Sequence, residues 1–134
     1  KRKAQIVNAG PKRRIPDFGV KPDLPIGTCV TLRGKDAREL LRNLLGAIDN
    51  RLRYRQITPN ALSFGIKEYI EIPGIEYQRE IGIRGLNVTA VFIRAGARVA
   101  RKKIKKGKLP KKQHATPQEI IAFMKENFKT EVGK

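Results

Sequence analysis

Residues 26–53 read IGTCVTLRGKDARELLRNLLGAIDNRLR, and two periodicities meet in them. Over Ile26–Arg33 the chain alternates: Ile26, Thr28, Val30 and Leu32 share one face, and Gly27, Cys29, Thr31 and Arg33 the other. That period of two is a strand's, with a core face and a polar face that RNA can read. Gly34 breaks the strand. From Asp36 to Arg53, Ala37, Leu40, Leu41, Leu44, Leu45, Ile48 and Leu52 then recur at three- and four-residue spacing, which predicts a helix with one apolar face. Arg38, Arg42, Asn43 and Asp49 fall on its other side, so the helix needs a sheet or another helix to cover it.

A second helix is predicted from Pro117 to about Phe128, within a final segment 116–134. Thr116 can cap its free amides, Pro117 suits the first helical position, and Glu119 completes a capping box. Ile120, Ile121, Met124 and Phe128 form its apolar stripe, which reads as core. Asn87–Arg94 is a strand candidate rich in β-branched residues. Ile66–Ile72 is a weaker one, because Glu68 interrupts it and leaves room for a helical turn. Turns are expected at Ile72–Pro73–Gly74 and over Gly82–Gly85. Between two strand candidates, residues 10–25 hold Pro11, Pro16, Pro22 and Pro25 with Lys12, Arg13, Arg14 and Lys21, a long basic loop stiffened by proline.

The chain is 134 residues long, one domain's worth, and carries 30 Lys and Arg against 12 Asp and Glu for a formal net charge of +18. The surplus is unevenly placed. Residues 1–35 are net +7, residues 36–93 net +1, residues 94–113 net +10 and residues 114–134 neutral. Arg98, Arg101, Lys102, Lys103, Lys105, Lys106, Lys108, Lys111 and Lys112 share a segment, 94–115, that contains no carboxylate. A solvated face mixes both signs, so this segment and the basic loop point to a polyanion, bound largely through phosphate contacts. Nucleic acid is favoured over a membrane surface, since neither segment forms an amphipathic helix with aromatic anchors.

Other classes fall away on the same inventory. No apolar stretch approaches the ~20 residues a membrane-spanning helix needs, and no secretory signal follows Lys1–Arg2–Lys3. Cys29 is the single cysteine and His114 the single histidine, so an internal disulfide, a zinc site and a nucleophile–base pair are not expected. Cys29 reads as a small buried or half-buried residue, and the chain as cytoplasmic, non-enzymatic and without cofactor or metal. Aromatic residues are too few and too scattered for a base-stacking sheet. Phe18 is the exception: it either anchors the basic loop onto the domain or stacks on a nucleotide.

Six phrases in order carry a resemblance: Ile15–Pro16–Asp17–Phe18–Gly19, Pro25–Ile26–Gly27, Val30–Thr31–Leu32–Arg33–Gly34, Ser63–Phe64–Gly65–Ile66–Lys67–Glu68, Ile72–Pro73–Gly74–Ile75 and Ile81–Gly82–Ile83–Arg84–Gly85–Leu86–Asn87–Val88. Together they resemble the universal large-subunit ribosomal protein five family, which binds 5S ribosomal RNA. The basic segment from Arg94 and the final helix resemble its archaeal and eukaryotic branch, and Pro73–Gly74 favours an archaeal source. The resemblance implies an α+β fold, an antiparallel sheet with helices on one face and RNA on the other, forming a single RNA-binding domain over residues 1–134. It implies a structural constituent of the large subunit's central protuberance, with 5S ribosomal RNA, large-subunit ribosomal RNA, P-site transfer RNA and neighbouring ribosomal proteins as partners. Lys12, Arg13, Arg14, Phe18 and Lys21 are then candidates for the transfer RNA, Thr31 and Arg33 for 5S ribosomal RNA, and the nine cations of 94–115 for ribosomal RNA. The family's first strand and helix have no counterpart ahead of Lys1, and a family glutamine is replaced by Ala4. The alternative is a general, chromatin-like nucleic-acid-binding protein.

Overall fold

The computed structural model describes residues 4–10 and 14–133. The chain divides into two compact units, Lys1–Ala37 and Arg38–Lys134. In the first, β1 (Gln5–Asn8) pairs antiparallel with β2 (Pro25–Cys29). Ile6 faces Thr28 and Val7 faces Gly27, and the register shifts between Val7 and Asn8.

This ribbon departs from the alternation of its sequence. Every residue of both strands is exposed, with Ile26 at 57% and Val30 at 52%, so Ile26, Thr28 and Val30 do not form a buried face. A lone pair of strands has two faces and no third layer to cover either. β2 also stops at Cys29, short of the expected Arg33. Cys29 is exposed, not half-buried, and its Sγ lies 3.9 Å from Oε1 of Gln5, its register partner.

The second unit holds the core. α1 (Lys35–Gly46) leads into it with Asp36 in the first turn, but ends at Gly46 and not at Arg53. Asp49 and Asn50 adopt left-handed φ of 53° and 56°, a conformation that short polar side chains tolerate. The Asn50 N–H turns back to the Leu45 carbonyl at 3.0 Å. The reversal delivers Leu52, 2% exposed, into the core as the centre of strand β3 (Arg51–Arg53). Leu52 keeps helical spacing with Leu45 and Ile48 only because the chain folds back onto the same core.

Beyond β3 runs an antiparallel sheet of β4 (Ile57–Thr58), β5 (Ala61–Ile66) and β6 (Leu86–Val91). β5 has no counterpart among the elements expected from the sequence; the expected strand over 66–72 is the last residue of β5 followed by a 3-10 turn, Tyr69–Glu71. β6 fills most of the expected 87–94 strand. Leu62, Phe64 and Ile66 are buried opposite Ala90, Val88 and Leu86, whereas Ser63, Gly65, Asn87 and Thr89 point outward and are exposed. The hydroxyls of Ser63 and Thr89 are 3.1 Å apart across that outer face.

α2 (Pro117–Phe128) forms as expected. The Glu119 N–H donates to Thr116 Oγ1 at 3.4 Å and the Thr116 N–H to Glu119 Oε2 at 3.0 Å, the reciprocal pair of a capping box. Ile120 and Met124 are buried; Ile121 and Phe128 pack half-buried beside them. Segment 116–134 is not helical to its end, because Lys129 turns left-handed and β7 (Glu131–Gly133) follows, pairing in parallel with β3. Leu44 and Leu45 of α1, Met124 of α2 and the inner face of β5 thus share one core. Each such side chain contributes on the order of 1.5–3 kcal/mol by its burial. The fold is α+β, with helices on one face of the central sheet; the expected single antiparallel sheet is resolved into three small ones, one of them parallel.

Candidate nucleic-acid interface

The basic loop of the first unit is closed at two levels. At its base the Ala9 N–H donates to the Leu24 carbonyl at 2.7 Å, and further out Ile15 and Val20 exchange two backbone hydrogen bonds of 3.0 Å. Between those two residues Pro16–Phe18 makes one 3-10 turn, and Gly19, at φ 62°, lets its N–H return to the Pro16 carbonyl at 2.9 Å. A residue with a Cβ is strained at that φ. Phe18 at the tip is 81% exposed, so it does not anchor the loop. Arg14 and Lys21 are exposed and flank the Ile15–Val20 bridge, one residue outward on each side. Like charges in facing register repel, an arrangement suited to a negative partner. Lys12 and Arg13 lie outside the described residues.

Thr31 and Arg33 are exposed, but they follow β2 and do not belong to it. They are two exposed side chains on the approach to α1, and no strand register places them on a common face. His114 is half-buried, directly after a 3-10 turn at Lys111–Gln113.

The basic extension is a formed loop. Arg98, Arg101, Lys102, Lys103, Lys105, Lys106, Lys108, Lys111 and Lys112 are all exposed on it. One 3-10 turn spans Ala97–Arg101, entered through Gly96 at φ 92°, and the Gly107 N–H donates to the Val99 carbonyl at 3.2 Å. At the start of the extension Arg94 Nη2 reaches both Glu119 oxygens, at 2.5 and 2.6 Å. The Arg94 hydrogen bond, with the Thr116 amide next, holds the Glu119 carboxyl below its ordinary pKa.

Asn60 is a residue that periodicity and charge do not single out. Its carbonyl accepts from the Phe92 N–H at 2.7 Å, its N–H donates to the Ala115 carbonyl at 3.1 Å, and its Oδ1 accepts from the Ala115 N–H at 2.6 Å. The signal for its turn is present in Thr58–Pro59–Asn60–Ala61: proline, then a residue at φ 66°, between two paired strands, the arrangement of a type II turn. Among the described residues no group of His, Cys, Asp and Glu is placed to hold a metal ion, and no helix is long and apolar enough to cross a membrane.

Residues 25–113 match the family model for the C-terminus of the ribosomal uL5 family. The chain is also similar to curated archaeal proteins named large ribosomal subunit protein uL5. It is 43% identical to that of Sulfurisphaera tokodaii over 119 residues, covering 87% of this chain and 67% of the relative. To that of Methanosphaera stadtmanae it is 39% identical over 114 residues, 84% of this chain and 68% of the relative. To that of Methanococcoides burtonii it is 38% identical over 128 residues, 95% of this chain and 76% of the relative.

Proposed function

The chain belongs to the ribosomal uL5 family, and from that membership we propose that it holds 5S ribosomal RNA to large-subunit ribosomal RNA while its basic loop contacts P-site transfer RNA. The coarser part is plain: this is a structural, non-enzymatic protein of the large ribosomal subunit. One observation carries the RNA contacts, namely nine exposed cations on a formed loop that contains no carboxylate.

Each Lys or Arg brought against a phosphate releases a condensed counterion, which yields affinity that depends steeply on salt and little on sequence. Lys102, Lys103, Lys105 and Lys106, with their neighbours on the extension, supply this toward large-subunit ribosomal RNA. Lys12, Arg13, Arg14 and Lys21 supply it toward the transfer RNA, and the exposed ring of Phe18 offers a stacking surface there. Thr31 and Arg33 are proposed for 5S ribosomal RNA. The exposed hydroxyls and amide of Ser63, Thr89 and Asn87 give the sheet an outer face compatible with the ribose 2′-hydroxyls of a structured RNA.

The test is a competition at moderate salt between 5S ribosomal RNA and duplex DNA of the same length for the purified chain. Selective retention of the RNA is expected; equal affinity for the two would overturn the 5S assignment.

A further inference from the structure

Ten basic residues without a carboxylate, between Phe92 and Ala115, repel one another, and by that repulsion alone the segment should be open and extended. Its ends are nevertheless joined. The Phe92 N–H enters the Asn60 carbonyl, and the Ala115 amide group is bonded on both sides by Asn60, its N–H to Oδ1 and its carbonyl to the Asn60 N–H. Ala115 is buried, at 8% exposure, and Asn60 half-buried, so these bonds are partly shielded from water. The tip of the β4–β5 hairpin therefore touches the first and last residues of the extension through one side chain and one peptide unit.

We infer that Asn60 is the positioning residue of the basic extension, closing residues 93–114 into a loop before RNA arrives. The chemistry favours Asn. Its φ of 66° excludes most side chains but suits Asn, Asp or Gly, and of these Gly lacks the oxygen that receives the Ala115 N–H. Closing a loop costs conformational entropy that would otherwise be met on binding; with the ends already joined, the cations present themselves to phosphates at less cost. Arg94 with Glu119 is a second tie near the same neck, and the Gly107–Val99 bond a third within the loop. The role rests on the RNA-binding reading above, whereas the clasp itself can be measured without RNA.

The experiment compares Asn60→Gly, Asn60→Asp and the unaltered chain. In the free protein, amide hydrogen exchange is followed at Ala115 and Gly107, with Leu62 and Phe64 reporting an intact sheet. Asn60→Gly is expected to speed exchange at Ala115 and Gly107 about three- to tenfold, the worth of one hydrogen bond, and more at low salt, where the cations repel most. Asn60→Asp, which keeps the oxygen, is expected to stay near the unaltered chain. Binding to purified large-subunit ribosomal RNA should weaken by a similar factor in Asn60→Gly while the slope of affinity against salt stays unchanged, because the same phosphates are met once the loop is bound. Unchanged exchange in Asn60→Gly overturns the clasp. Faster exchange with unchanged RNA affinity overturns its positioning role. If the unaltered chain shows no preference for ribosomal RNA over duplex DNA, the RNA reading fails and the positioning role with it, and the exchange data show separately whether the clasp stands.

Discussion

Arg94 and Glu119, 25 positions apart in the chain, are joined by one guanidinium nitrogen that reaches both carboxylate oxygens. Glu119 is also the third residue of the α2 capping box, so a single carboxylate serves the neck of the basic extension and the start of the last helix. Its pKa is lowered, first by the Arg94 hydrogen bond and then by the Thr116 amide. A carboxyl whose pKa falls on folding contributes stability above its unfolded value, about 4.3 for Glu. That contribution is lost as pH falls through the lower folded value. Glu119→Gln keeps a capping side chain and removes the charge. The gap in melting temperature between the unaltered chain and Glu119→Gln is therefore expected to be widest near neutral pH and to narrow in acid. A gap that stays constant down to pH ~2 would mean that the ion pair contributes nothing to stability.

Thr116→Ala removes the other half of the box. Loss of an N-cap hydroxyl costs about 1 kcal/mol, and urea unfolding is expected to show that loss as a lower midpoint with an unchanged slope. Met124→Ala, at a side chain that is 0% exposed, leaves a cavity between α2 and the sheet and is expected to cost about 2–5 kcal/mol. A Met124 variant no worse than the Thr116 variant would show that the site collapses freely.

The legible parts of this fold are those where a local signal and the tertiary contact agree. α2 follows from Thr116, Pro117 and Glu119, because a cap is satisfied by its own neighbours whatever else the chain does. The end of α1 is hidden because Ile48 and Leu52 continue the helical spacing of Leu44 and Leu45 after the backbone has turned at Asp49 and Asn50. One core takes apolar residues from a helix, a turn and a strand alike. β2 misleads in the opposite sense: Ile26, Thr28 and Val30 alternate cleanly and are all exposed, since alternation specifies faces but not what covers them. For the candidate interface, the cations are visible as composition, and their exposure follows from charge. Asn60 is not visible, because its bonds to Phe92 and Ala115 span long stretches of sequence and leave no periodic trace.

Gly85 offers a sharper test of backbone packing. A Cβ built there would lie 2.8 Å from the Lys67 carbonyl oxygen and 2.9 Å from that of Ile66, at the end of the β5–β6 pairing where no flexible side chain can yield. Gly85→Ala is expected to cost about 1–3 kcal/mol by overpacking. At Gly27, on exposed β2, nothing lies within 4 Å of the same position, and Gly27→Ala is expected to stay within about 0.5 kcal/mol. Equal melting temperatures for the two variants would contradict the close approach at Gly85.

Charge on the extension and its placement can be separated. Replacing Lys102, Lys103, Lys105 and Lys106 together by Ala touches exposed side chains only, so the melting temperature is expected to hold or rise as self-repulsion falls. For ribosomal RNA the variant should bind more weakly, and the plot of log affinity against log salt should flatten by about 0.7–0.9 for each phosphate no longer neutralised. Asn60→Gly should do the reverse, lowering affinity while keeping the slope, because it removes no cation. If the four-lysine variant kept the full slope, these residues would not meet phosphates, and the extension's charge would act only at long range. Such long-range attraction would then appear as a slower association rate at low salt.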